Sequence, residues 1–350
     1  MGSIEEAQWR DLQKHSPRAQ QLQRQSFTTR STWKGRKSAW RQHEPRDPPL
    51  SSYAHARKIT IMSLNRCFEG DPSTAPQERL AALLTELATI NADVVNLQEV
   101  TQSAIRAFQV DERFRRRWIV SSFDVGVYSR EGHGLLTLVN KHTAELMNSF
   151  QYPLDEHPDE QMRSGRTLLV CEMVKDGVHV RVINAHLESA RLPRDTSTTA
   201  YPKARAKLVA CREYQISVAS GIAEAFITSD SSRGVVFAGD MNLGVDAEQD
   251  APERYGFRDA WKDLHAESGE LGNTFGVTWS SDKKLTPSRL DRIVSMGRLR
   301  PVRFEILFTT PLQLGPDLRD ILGHDSYLSD HAGVLAQFDM CVMDPTNKRP

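Results

Sequence analysis

Six short segments of this sequence end in groups that hold protons, phosphates or hard cations: Asn65, Gln98-Glu99, His186 with Glu188, Asp240 with Asn242, Asp291, and Ser329-Asp330-His331. Carboxylate and amide oxygens suit Mg²⁺, with Mn²⁺ as a substitute, and do not suit zinc or copper, which prefer imidazole and thiolate. Glu99 is the expected anchor for such a cation. Phosphoester hydrolysis also needs an activated water, donors to the non-bridging oxygens and help for the leaving oxygen. Asp240 can take the proton of the water, and Asn65 and Asn242 can orient water and phosphate. His331, held as imidazolium by a carboxylate such as Asp291, can neutralise developing charge. Each residue alone has an ordinary explanation as a turn former or helix cap. The reading therefore depends on the six ends converging on one pocket.

That convergence requires strands. From Arg57 onward the chain shows short apolar runs closing on polar residues, as buried strands do when they deliver side chains to one sheet edge. They are 58–65, 93–100, 134–141, 166–174, 178–189, 234–242, 288–296 and 333–340. Asp176-Gly177 is a two-residue hairpin signal between the fourth and fifth. Leu80, Leu83, Leu84, Leu87 and Ile90 give 76–91 one apolar helical stripe, with Pro76 at its start. A second helix over 204–226 carries Leu208, Cys211, Ile216, Ala219 and Ile222 on one side. Strands that outnumber helices in this way predict a layered α/β sandwich, with helices covering the outer faces of two sheets.

With 350 residues, 39% hydrophobic and 26% charged, the chain has the composition of a globular protein and excludes fibrous and wholly disordered classes. The polar N-terminus offers no secretory signal, and no apolar run is long enough to span a membrane. Four scattered cysteines, without zinc-site spacing, fit a reducing compartment. Net charge is zero, yet residues 1–58 hold 12 Lys/Arg against 5 Asp/Glu. A basic arm over 1–56, partly disordered or docked, is thus expected before a body over 57–342 and a tail over 343–350. Such an arm suits contact with a polyanion, or simply keeps the protein in solution.

The ordered motifs LQEV (97–100), HLES (186–189), GDMN (239–242), RLDR (289–292) and SDH (329–331) resemble the endonuclease/exonuclease/phosphatase superfamily over about residues 57–340. Within it, the tyrosyl-DNA phosphodiesterases are most similar, on the basis of AHLESAR (185–191), FAGDMNL (237–243), Thr278-Trp279, Arg166, Arg212 and Gln215. The resemblance implies a four-layer α-β-β-α sandwich of two mixed sheets and hydrolysis of 5′-phosphotyrosyl DNA ends. It implies that Asn65, Glu99 and Asp330 serve a Mg²⁺ ion and that Asp240 and Asn242 handle water and phosphate. His331, paired with Asp291, would contact the scissile phosphate. His186 and Ser189 would line its pocket, and Trp279 would face the DNA end. The expected partner is a DNA 5′ end bearing a tyrosyl or peptide adduct, met by a monomer in the nucleus, with the cytoplasm as a second location and no membrane association.

Arg191, with Arg194, Lys203, Arg205 and Lys207, follows HLES and is placed to meet a DNA backbone. The Arg113–Arg117 run reads more simply as a solvated helix face, and His133 as a turn residue or part of the rim. Ser63-Leu64, Gly244 and Ala332 depart from the tyrosyl-DNA pattern, which has Thr-Trp, Arg and Trp there, and the change bears on substrate more than on chemistry. The alternatives are an abasic-site endonuclease, an RNA deadenylase or a small-molecule or inositol phosphatase. A non-catalytic binding protein is a further alternative, disfavoured because Glu99 and His331 are both present.

Overall fold

The computed structural model describes residues 31–32, 41–42, 57–67, 75–122, 132–154, 165–189, 200–244, 246–278, 286–315 and 326–340. The first half runs β1 (Ser31–Thr32), β2 (Arg41–Gln42), β3 (Lys58–Asn65), α1 (Pro76–Thr89), β4 (Val94–Thr101), α2 (Gln102–Val110), α3 (Glu112–Arg117), β5 (Trp118–Val120), β6 (His133–Asn140) and β7 (Glu145–Pro153). The second half runs β8 (Thr167–Lys175), β9 (Val178–His186), α4 (Ala200–Ser229), β10 (Gly234–Asp240), α5 (Ala251–Arg254), β11 (Arg258–Asp259), α6 (Ala260–His265), β12 (Asp291–Gly297), β13 (Leu299–Leu307) and β14 (Gly333–Met340).

Among these residues one sheet has the order β13-β14-β3-β4-β6-β5-β1-β2 and the other β11-β12-β10-β9-β8-β7. Both are mixed, because β3 pairs with β4 and β9 with β10 in parallel while their other neighbours are antiparallel. Asp176 and Gly177 both take positive φ in the turn between β8 and β9, as a two-residue hairpin of the expected kind requires.

Alternation along the strands builds three apolar layers. Ile59 and Ile61 of β3, Val180 and Val182 of β9, and Val236 and Ala238 of β10 meet between the sheets. The intervening residues face outward. Met62 and Leu64 pack under α1, α2 and α3 through Leu83, Leu87, Ile105, Phe108 and Phe114. Ile183, Val235 and Phe237 pack under α4 through Ile216, Ala219, Ile222 and Phe226. Helix, sheet, sheet and helix thus stack as the four layers the motifs implied.

Four body strands lie outside the apolar runs. β7 closes one edge of its sheet and buries only Leu146, Ser149 and Pro153, while β13 contains Pro301 at a register shift. β5 and β11 are three and two residues long. In the arm, β1 pairs with β2 and with β5, so part of 1–56 extends the sheet edge. No helix among the described residues is long and apolar enough to cross a membrane.

Candidate active site

The same alternation that builds the core delivers the site. In β3 the inward row reads Ile59, Ile61, Ser63, Asn65; in β9, Val180, Val182, Asn184, His186; in β10, Val236, Ala238, Asp240. β12 runs antiparallel to β10, yet its first residue, Asp291, sits opposite Asp240 and therefore opens at the same edge. Each row is apolar at depth and turns polar at one end. Just beneath that end Gln98 Nε2 donates to Asn184 Oδ1 at 2.8 Å and to Ser63 Oγ at 3.1 Å, tying the two sheets together.

Two left-handed residues re-aim the chain at the rim. Glu99, at φ +53°, lies in an irregularity of the β4–β6 ladder between Leu97 and Val100. Asn242 also has φ +53° and is held by its backbone N–H to Asp240 Oδ1 at 2.9 Å and its side-chain amide to Leu187 O at 3.1 Å. Such conformations cost about 1–3 kcal/mol each and cluster at working sites.

The groups converge on Asp240, which is 2% exposed. Asn65 Nδ2 donates to Asp240 Oδ2 at 3.0 Å and to Glu99 Oε1 at 3.2 Å. His186 Nε2 lies 3.5 Å and His331 Nε2 3.8 Å from Asp240 Oδ2, and His186 Nδ1 lies 4.0 Å from Glu99 Oε1. His331 Nδ1 meets Asp291 Oδ2 at 2.7 Å.

Burial pushes Asp240 up to about 6, with Asp291 adding to the effect while His331 and the hydrogen bonds from Asn65 and Asn242 oppose it. Burial also works against charge on His331, but the carboxylates of Asp291 and Asp240 prevail and raise it to about 10. His186 goes the other way: burial, then Arg166, His331 and His133, lower it well below the ordinary imidazole range. At neutral pH the centre therefore holds an anionic Asp240, a neutral His186 and a cationic His331.

Of the expected site residues, Asn65, Glu99, His186, Asp240, Asn242, Asp291 and His331 come together. Asp330 is half-buried beside them, with Oδ1 3.3 Å from Ser329 Oγ. Arg166 Nη2 donates to Ser189 Oγ at 3.3 Å, placing both next to the His186 turn. That turn is held from behind. Gln215 Oε1 accepts the Glu188 N–H at 2.9 Å, and buried Arg212 donates to Glu188 O at 3.0 Å while pairing with Glu248 at 2.5 and 2.7 Å. His133 is buried and its ring faces that of His186, with centroids 6.3 Å apart. Trp279, Arg191 and Arg194 lie outside the described residues. The Arg113–Arg117 run belongs to a helix joint at the far end of the sheets: Arg116 pairs with Glu112, and Arg117 donates to Ala88 O.

Four residues before Thr278-Trp279, and without a motif to mark them, Thr274 and Phe275 are set by the structure against the His331–Asp291 pair. Thr274 Oγ donates to Asp291 Oδ2 at 2.7 Å, and the Phe275 ring lies 5.0 Å from that of His331. Arg79, buried in α1, also went unnoticed. Its only sequence signal is a charge on an apolar helical stripe.

The donor set fits a hard divalent cation. Asp240, Asp291 and His331 offer three ligand atoms within 4.8 Å of one another and could hold a metal ion, and Glu99 adds a carboxylate beside them. Asp291 Oδ1 is a buried carboxylate oxygen without a hydrogen-bond partner among the described residues. Cationic His331 is a poor ligand, so carboxylates would carry the ion. Asn65 Oδ1 accepts the Cys67 N–H at 3.0 Å, and its NH₂ group faces Glu99 and Asp240.

Comparison with solved structures returns the same architecture. D. rerio TDP2 complexed with single strand DNA product is 19% identical, with TM-score 0.58 over 80% of this chain and 98% of that one. C. elegans TDP2 is 22% identical, with TM-score 0.59 over 81% and 75%. A mannosyl-6-phosphatase of Bacteroides thetaiotaomicron is 15% identical, with TM-score 0.57 over 80% and 99%. Comparison with curated protein sequences finds no match. The sequence profile of the Endonuclease/Exonuclease/phosphatase family matches residues 62–331, which span every strand end of the centre around Asp240, and the chain belongs to that family of hydrolases.

Proposed function

We propose that this protein is a Mg²⁺-dependent phosphodiesterase that hydrolyses 5′-phosphotyrosyl DNA ends, with water as nucleophile and no covalent intermediate. The observation that carries the reading is the buried juxtaposition of an anionic Asp240 with a cationic His331 at 3.8 Å. A base and a counter-charge for phosphate oxygens then share one edge. Asp240 takes the proton of the attacking water, and a pKa near 6 keeps it both ionised and basic at neutral pH. Asn65 holds the Asp240 and Glu99 carboxylates in place through its NH₂ group. The Nε2–H of His331 donates to a phosphate oxygen while Asp291 keeps the ring charged and oriented. Asn242 and His186, with Ser189 and Arg166 beyond them, orient the phosphate. Glu99 and Asp330 would hold the magnesium ion, which when bound supplies Lewis-acid charge to the phosphate. Trp279 and Arg191 are assigned to the DNA end, the site of action to the nucleus and the working form to a monomer.

The likeness to TDP2 structures and the tyrosyl-DNA pattern of the motifs support the leaving group. A second reading, a sugar-phosphate monoesterase, is favoured by one finding, the equal likeness to the mannosyl-6-phosphatase fold. Purified protein with magnesium, offered 5′-tyrosyl, 3′-tyrosyl, abasic and plain oligonucleotides alongside mannose 6-phosphate, tests both. Tyrosine release from the 5′-tyrosyl substrate alone supports the proposal. Preferential phosphate release from the sugar replaces it with the second reading.

A further inference from the structure

Arg79 stands where an apolar residue is expected. It shares the buried stripe of α1 with Leu83 and Leu87 and is 5% exposed. A guanidinium is costly there unless its N–H groups are satisfied. Nε donates to Leu328 O at 3.1 Å, and Nη2 donates to Arg66 O at 2.9 Å and Cys67 O at 3.3 Å. Those carbonyls belong to the two segments that carry the centre: Arg66 and Cys67 follow Asn65, and Leu328 precedes Ser329-Asp330-His331. Ser329 closes the same junction, donating from Oγ to Asn65 O at 2.5 Å and accepting the His331 N–H at 3.1 Å.

We infer that Arg79 is a positioning residue for phosphoester hydrolysis, clamping the Asn65 and His331 segments together so that both side chains meet Asp240. The inference rests on hydrolysis at this centre and not on the identity of the leaving group. A planar fork reaches carbonyls in two directions at once, which a lysine ammonium on one flexible stem does less well. Neither Asn65 nor His331 gains its position from the strand ladder alone. Asn65 is the last residue of β3, and His331 precedes β14. Displacements of about 1 Å at such groups cost about 10²-fold in rate.

The test uses the full chain carrying Arg79→Met or Arg79→Lys, with magnesium, on a 5′-tyrosyl oligonucleotide and on bis(p-nitrophenyl) phosphate. The Nδ1–H resonance of His331 is followed by proton NMR in the same samples. The expected result for Arg79→Met is a kcat lower by about 10²-fold with KM little changed, and a broadened or lost His331 resonance in a protein that still melts cooperatively. Arg79→Lys should recover part of both and serves as the folded variant should the methionine form fail to fold. Unchanged kcat together with an unchanged His331 resonance in either folded variant overturns the clamp. Failure of the wild type on the tyrosyl substrate alone defeats the leaving-group assignment, while the second ester and the resonance still decide the role of Arg79.

Discussion

Asp291 Oδ2 receives the Nδ1–H of His331 at 2.7 Å, and the same oxygen takes the hydroxyl of Thr274 at 2.7 Å. The Thr274 hydroxyl oxygen in turn accepts the N–H groups of Leu290 at 3.2 Å and Asp291 at 3.0 Å. The Asp291 side chain is thereby fixed at the start of β12, and the imidazolium it holds has a defined orientation, with Nε2 facing Asp240. One threonine outside any strand thus sets the direction of the cation that the mechanism needs.

Activity should follow a bell in pH. The acidic limb reflects ionisation of Asp240 near 6, and the basic limb reflects loss of the His331 proton near 10. In Asp291→Asn the counter-charge is gone while burial remains, so the basic limb should move to lower pH. A pH–rate profile of wild type and variant checks this. Superimposable basic limbs would contradict the role given to the pair.

Stability should also depend on this histidine. His331 rises from 6.5 to about 10, so the folded state binds the extra proton. Its contribution is complete below 6.5 and is lost as pH rises through 10. Urea unfolding of wild type and His331→Gln should give a stability difference that shrinks steadily between those values. A difference independent of pH across that window would argue against a charged, paired imidazole.

Much of this was legible in the residue pattern because the candidate site residues extend the core-facing rows. β3 and β14 coincide with apolar runs end to end, and Asn65 and Asp240 close theirs. β7 and β13 escaped notice for a physical reason. β7 lies at a sheet edge with most of its residues only half-buried, and β13 carries a proline, so neither reads as a buried run. Thr274 and Arg79 were hidden differently, since both act through hydrogen bonds to segments distant in sequence. The Thr274 hydroxyl belongs to no periodic pattern, and the Arg79 guanidinium sits as a lone charge on an apolar stripe.

Breaking the clamp behind the His186 turn should cost more than a surface charge would. Arg212→Met leaves Glu248, which is 0% exposed, without its cation. Loss of one partner from a buried pair costs about 3–5 kcal/mol. Replacing Glu248 with Leu in the same chain should restore much of that. Denaturant melts of the single and double variants give the comparison, and equal destabilisation of both would contradict the stranded Glu248 charge as the cause of the loss.

Gly239 admits no side chain. At φ +151°, a Cβ would stand 1.9 Å from Ala185 O in the neighbouring strand, directly beneath Asp240. Gly239→Ala should separate β9 from β10 and destabilise the fold by about 3 kcal/mol or more. Thermal melting near the wild-type temperature would show that the two strands tolerate a wider spacing.

The most direct check on the central claim is single-turnover hydrolysis of a 5′-tyrosyl oligonucleotide by wild type and Asp240→Asn, with magnesium and with EDTA. The account predicts tyrosine release by the wild type with magnesium, none with EDTA, and a rate for the variant lower by at least about 10²-fold with an unchanged circular dichroism spectrum. Equal rates in wild type and variant, or release that survives EDTA, would contradict it.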